Sequence, residues 1–147
     1  MSYRKGTHTI HDLKYHIVWC TKYRYRVLKG AIAERTRELI REICKANYVN
    51  IVSGHVSVDH VHLLVSVTPS LSISNLVRYI KGKSSRKLLV ESRELKKRYW
   101  GQHLWARGYF VVTVGQMNEK QIEEYIENQE QENKNDNFSI SENIGRF

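Results

Sequence analysis

At 147 residues, with 41% hydrophobic and 27% charged side chains, the chain suits one soluble globular domain and excludes a disordered polymer. No apolar run approaches the ~20 residues needed to cross a bilayer, and Met1 to Ile10 lacks the apolar stretch of a signal peptide. The net charge of +9 is uneven, with 21 basic and 7 acidic residues up to Phe110, then 3 and 8 from Val111 onward, so the basic body suits either a polyanionic partner or solubility alone.

Leu13 to Trp19 alternates, with Leu13, Tyr15, Ile17 and Trp19 on one side and Lys14 and His16 opposite, which predicts a half-buried strand. A basic and aromatic segment follows at Thr21-Lys22-Tyr23-Arg24-Tyr25-Arg26. Ile32, Thr36, Leu39, Ile40 and Ile43 predict a helix from about Ala31 to Ala46. Val49 to Val56 and His60 to Val67 read as strands, and Ser57-Val58-Asp59 is short enough to join them as a hairpin. Pro69 ends the second of these, and Ser72 is placed to cap a long helix with Ile73, Leu76, Val77 and Ile80 as its apolar stripe. Gly82, Ser84 and Ser85 weaken that helix locally, and Glu91 to Arg98 continues helical. Arg107 to Val114 is rich in β-formers and predicts a fourth strand. Asn118 and Gln121 resemble a capping box before a last helix, and residues 133–147 form a polar tail after a single domain over 1–132. The order strand, helix, strand, strand, helix, strand predicts an α+β, ferredoxin-like βαββαβ fold. Its antiparallel sheet would carry helices on one face and leave the other for a ligand, a partner or the extra C-terminal helix.

Three groups of residues could carry chemistry. His60 and His62 are two apart on a strand, so both imidazoles project from one face, a spacing that suits a cation and also arises by chance among seven histidines. Asp59 could ligate or orient an imidazole. Tyr125 and Gln129 lie one turn apart on the last helix, near Glu119, Glu123, Glu124 and Glu127. There the tyrosine is either a core aromatic or a reactive group beside an amide oxygen. The helix from Asn75 to Leu88 carries Arg78, Lys81, Lys83, Ser84, Ser85 and Arg86, either a phosphate-binding surface or a solvated face. Tyr23, Tyr25, Trp100 and Trp105 could stack on unpaired bases or pack inside. Cys20 and Cys44 are too few for a disulfide framework and fit reduced thiols in a cytoplasmic protein.

Asp59-His60-Val61-His62-Leu63-Leu64-Val65 resembles the His-hydrophobic-His motif of single-tyrosine HUH transposases of the IS200-like type. Trp19 with Lys22-Tyr23-Arg24 is similar to the family's first-strand signature, and Ile80-Lys81-Gly82-Lys83-Ser84-Ser85 to its helix motif. Leu104-Trp105-Ala106-Arg107-Gly108-Tyr109-Phe110 resembles its fourth-strand motif, and Tyr125-Ile126-Glu127-Asn128-Gln129 its catalytic helix. The resemblance implies a DNA strand transferase with Tyr125 as nucleophile. His60, His62 and Gln129 would bind a divalent metal, Mg²⁺ or Mn²⁺, and no nucleotide cofactor would be needed. Lys22, Tyr23, Arg24 and the polar residues of the basic helix would contact DNA. It further implies single-stranded DNA with hairpins as substrate, a homodimer, and no membrane partner. Competing readings are a nucleic-acid-binding module without chemistry, a domesticated relative acting on host repeats, and a zinc hydrolase built on His60 and His62.

Overall fold

The structure is a computed structural model and describes residues 3–5, 10–114 and 123–129. A short antiparallel pair, β1 (Arg4–Lys5) and β2 (Ile10–His11), precedes the main sheet, and no alternation in the sequence announces it. The elements then run β3 (Leu13–Cys20), α1 (Gly30–Ala46), β4 (Asn50–Val56), β5 (His60–Val67), α2 (Ile73–Glu91), α3 (Arg93–Arg98) and β6 (Phe110–Thr113). Residues 123–129 are helical. The sheet order is β4-β5-β3-β6, with every neighbouring pair antiparallel, which is the predicted ferredoxin-like topology.

Alternation in β3 and β5 divides the two faces. Ile17, Trp19, Val61 and Val65 are fully buried, beneath α1 and α2. α1 contributes Leu39, Ile40 and Ile43 to that core, and α2 contributes Leu76, Val77 and Ile80. Both stripes follow the 3.6-residue period that marked them in sequence. As predicted, the Ser72 hydroxyl accepts from the Asn75 amide at the start of α2.

Three boundaries depart from the sequence reading. α2 runs unbroken through Gly82, Ser84 and Ser85, because the Ser84 hydroxyl bonds back to the Ile80 carbonyl at 2.6 Å and the residue is wholly buried. Helix does not continue from Glu91. Ser92 takes an extended conformation and its side chain caps α3 by accepting from the Leu95 amide. The fourth strand begins at Phe110, not Arg107. Gly108 stands at φ +81°, and Lys81 Nζ takes the Ala106 and Gly108 carbonyls at 2.8 and 2.9 Å. The Asn118–Gln121 capping pair and the tail lie outside the described residues.

Among the described residues no helix is long and apolar enough to cross a membrane. Cys20 and Cys44 are free and buried, and burial pushes both thiols up to about 12.

Candidate active site

The sheet register builds the site. Directly opposed residues of an antiparallel pair share a face. Val18 opposes His62 and Phe110, Cys20 opposes His60, and His55 opposes His62. The histidine pair therefore lies on the face away from α1 and α2, beside Val18 and Cys20. Helix 123–129 covers that face. Tyr125 is buried in a small cluster with Val18 and Cys20, packed by Phe110 and Ile126, and its ring lies 5.5 Å from that of Phe110. Residues 60, 62 and 125, far apart in sequence, thus meet on one surface of the sheet.

Each imidazole has a polar neighbour. His60 Nδ1 is 2.9 Å from Asp59 Oδ1. The Asp59 carboxyl is pushed up by burial. Hydrogen bonds from His60 and Arg24 and the Arg24 charge outweigh this and hold it below the usual range. An ionised carboxylate only accepts, so His60 donates through Nδ1, and in the neutral ring Nε2 then carries the lone pair. His62 Nε2 lies 3.1 Å from His16 Nδ1. His16 escaped the sequence analysis as a site residue, although its place opposite the apolar side of β3 was the available signal.

The Lys22–Arg24 segment is a 3₁₀ turn with Tyr23 at φ 63° and Arg24 at φ 55°. Two successive left-handed residues with side chains cost about 1–2 kcal/mol each. Buried Thr21 holds the turn, donating to the Asp59 and Tyr25 carbonyls at 2.9 and 2.7 Å, while the Lys22 amide donates to the Leu104 carbonyl at 2.8 Å. The turn separates the three residues. Lys22 and Tyr23 line an open groove, whereas Arg24 faces Asp59, with Nε and Nη2 donating to Oδ2 at 3.0 and 2.6 Å. Both Asp59 oxygens are therefore occupied, and the residue orients His60.

That groove encloses about 1080 Å³, and Ser85, Arg86, Arg107 and Gln129 also line it. Gln129 thus lies one turn beyond Tyr125, on the groove. Arg78, Lys83 and Arg86 are exposed on α2. Of the remaining polar residues of the basic helix, Ser84 is buried, while Lys81 and Ser85 line the groove and are also bonded within the protein. Ser84 accepts from Trp105 Nε1 at 2.9 Å, Ser85 accepts from the Leu104 amide at 3.2 Å, and Lys81 holds the loop carbonyls before β6. Trp105 is buried, whereas Trp100 is 88% exposed. Gln102 and His103 also line the groove, and no spacing in the sequence singled them out.

Among the described residues no three His, Cys, Asp or Glu side chains are placed to hold a metal ion. The two motif histidines would thus need the Gln129 amide or a substrate oxygen to complete a coordination shell.

The family described as "Transposase IS200 like" matches residues 9–129. The ISDra2 transposase TnpA of Deinococcus radiodurans is 39% identical over 126 residues, covering 86% of this chain and 90% of that protein. The transposase for insertion sequence element IS200 of Salmonella typhimurium is 37% identical over 127 residues, covering 86% and 83%. A crystal structure from D. radiodurans R1, assigned as a transposase, is 38% identical with a TM-score of 0.80, covering 86% of this chain and 97% of that one. A REP-associated tyrosine transposase bound to a REP hairpin has the same fold at 14% identity and a TM-score of 0.53, covering 86% and 66%.

Proposed function

The chain belongs to the IS200-like transposase family, and from that premise we propose that it cleaves and rejoins single-stranded DNA at hairpin-bearing element ends, with Tyr125 as nucleophile. The observation that carries this reading is the packing of Tyr125 on the sheet face that bears His60 and His62. The tyrosine oxygen attacks the scissile phosphorus, the bond from phosphorus to the 3′ oxygen breaks, and that oxygen leaves with a proton. The 5′ phosphate stays on Tyr125. The freed 3′ hydroxyl later attacks such a link and restores a phosphodiester. Each step exchanges one phosphoester for another, so the scheme needs no nucleotide cofactor.

The residues present fit a divalent cation, Mg²⁺ or Mn²⁺. His60 offers Nε2 because Asp59 fixes the proton on Nδ1. His62 shares its Nε2 with His16 Nδ1 at 3.1 Å, so it would meet a cation through Nδ1 or by releasing His16, and the Gln129 amide oxygen would be the third protein donor. Such a cation would polarise the phosphate oxygens and offset charge as the phenol, with an ordinary pKa near 10, becomes a nucleophile. Imidazole donors favour manganese over magnesium.

DNA contact is assigned to Lys22, Tyr23, Ser85 and Arg86, which line the groove, and to Lys83, exposed on the same helix. The REP hairpin held by the tyrosine transposase of similar fold is the ligand class assigned here. Among the described residues β6 is an edge strand, and a homodimer would form by its pairing across a two-fold axis. Action on DNA in the cytoplasm completes the reading.

The test is incubation with hairpin-bearing single strands from the element ends and Mn²⁺, comparing wild type with Tyr125→Phe on a denaturing gel. A metal-dependent adduct mapped to Tyr125 by mass spectrometry, absent from the variant, is expected. An adduct on another tyrosine overturns the site. Tight hairpin binding without any adduct overturns the chemistry.

A further inference from the structure

Arg24 touches a third element besides its own turn and Asp59. Its Nη1 donates to the carbonyl of Ile126 at 2.8 Å, one peptide unit from Tyr125. We infer that Arg24 is a positioning residue that clamps the tyrosine helix to the carboxylate orienting His60, so that nucleophile and histidine pair are held in one register. This rests on the reading of Tyr125 as nucleophile.

The geometry suits a clamp better than a DNA contact. Three guanidinium donors are committed inside the protein, and the Arg24 and Asp59 side chains are only 16% and 9% exposed. The planar fork of arginine serves a carboxylate and a carbonyl at once, which a lysine ammonium on a flexible stem does poorly. The left-handed backbone at Tyr23 and Arg24 is what turns this side chain from the groove toward the sheet face. Strain of this kind persists only where surrounding structure enforces it, here through Thr21 and the Leu104 carbonyl. The guanidinium also neutralises Asp59, a carboxylate that would otherwise repel an incoming phosphate.

Helix 123–129 is short and mostly exposed. Tyr125 and Ile126 pack on a small cluster, whereas Glu123, Glu124, Glu127 and Asn128 are exposed. One charge-assisted hydrogen bond to its backbone therefore carries weight in holding it.

Arg24→Lys and Asp59→Asn test the clamp, first without metal or DNA. Hydrogen exchange across residues 123–129 and nitration of Tyr125 by tetranitromethane, read by mass spectrometry, report the helix directly. In Arg24→Lys both should accelerate roughly tenfold, while exchange in Leu13–Cys20 and His60–Val67 stays at the wild-type level. Asp59→Asn should loosen the helix likewise and also weaken Mn²⁺ binding, measured by calorimetry, about tenfold or more. With hairpin DNA, Arg24→Lys should lower the maximal adduct-forming rate and leave hairpin affinity within twofold. Unchanged exchange at 123–129 overturns the clamp. Exchange rising equally across the sheet overturns it too, since that marks a purely structural ion pair. Loss of hairpin affinity with the helix still protected would return Arg24 to the DNA. If wild type forms no adduct and the exchange result holds, the clamp stands and the catalytic reading falls.

Discussion

The Nδ1 of His16 on β3 lies 3.1 Å from the Nε2 of His62 on β5, with ring centroids 5.3 Å apart. One imidazole must donate and the other accept, so the contact needs at least one neutral ring. Burial lowers the pKa of His16. Burial and then the neighbouring His16, His60 and His55 lower that of His62. A base whose folded pKa is depressed takes up its proton later than the unfolded chain does. The unfolded state therefore binds more protons just below the ordinary histidine value near 6.5, and folding stability falls as pH drops through that window. The slope is at most about 1.4 kcal/mol per pH unit for each such proton. Urea unfolding from pH 7.5 to 5 should show this fall. His16→Gln should flatten it, since it removes one of the two groups and relieves the other. Equal slopes in the two proteins would show that the pair is not the source.

The fold was open to reading because it depends on pattern. The alternation of Leu13 to Trp19, the 3.6-residue stripes of α1 and α2, and the Ser72 cap are each a local consequence of burying one face. The His60–His62 spacing likewise placed both rings on one face of β5. What stayed hidden depends on register and on the third dimension. Nothing local tells that Val18 opposes His62, and only that pairing brings Tyr125 to the histidine face. Nothing local tells that Lys81 and Ser84 turn inward. In sequence they are indistinguishable from the exposed Lys83 and Arg86, and what separates them is the loop before β6 lying against their side of the helix. The left-handed pair Tyr23–Arg24 is invisible for a similar reason, because the contacts of Thr21 and Leu104 impose it from outside.

Lys81 is the strongest case of a cation with a structural role. Its ammonium holds the Ala106 and Gly108 carbonyls, and burial brings its pKa down to about 8, against a small opposing effect of Cys20. Lys81→Met leaves those carbonyls without their donor, at about 1–3 kcal/mol for each buried group left unsatisfied. The pH dependence has a definite sign. Between pH 8 and the ordinary lysine value near 10.4, the unfolded chain binds the proton that the folded chain has released, so the contribution of Lys81 to stability rises with pH. The buried cysteines act in the opposite direction, but they are common to both proteins and cancel in the difference. Urea midpoints at pH 7.5, 8.5 and 9.5 should show the advantage of wild type over Lys81→Met growing with pH. A constant difference would mean that the lysine keeps its ordinary pKa in the fold.

The division of the basic helix into inward and outward residues makes a prediction about DNA binding. Taking one cation away from a phosphate should reduce the slope of log affinity against log salt by about 0.7 on single strands and about 0.9 on a duplex stem. Arg86→Ala removes an exposed cation on the groove and Lys83→Ala one exposed on the same helix, so each should flatten the salt dependence by about that amount and weaken hairpin binding at low salt. Ser84→Ala should do something different. It orphans the buried Trp105 indole N–H and costs about 1–3 kcal/mol of stability, lowering the melting temperature, while the salt slope of the folded protein stays at the wild-type value. The two effects separate in one experiment, hairpin titrations at four salt concentrations run well below the melting point of every variant. A flattened slope for Ser84→Ala would put its hydroxyl on the DNA after all. An unchanged slope for both Lys83→Ala and Arg86→Ala would remove this face of α2 from the interface. Any hairpin binding that remained would then rest on Lys22, Arg107 and the other side of the groove, the next cations along its lining.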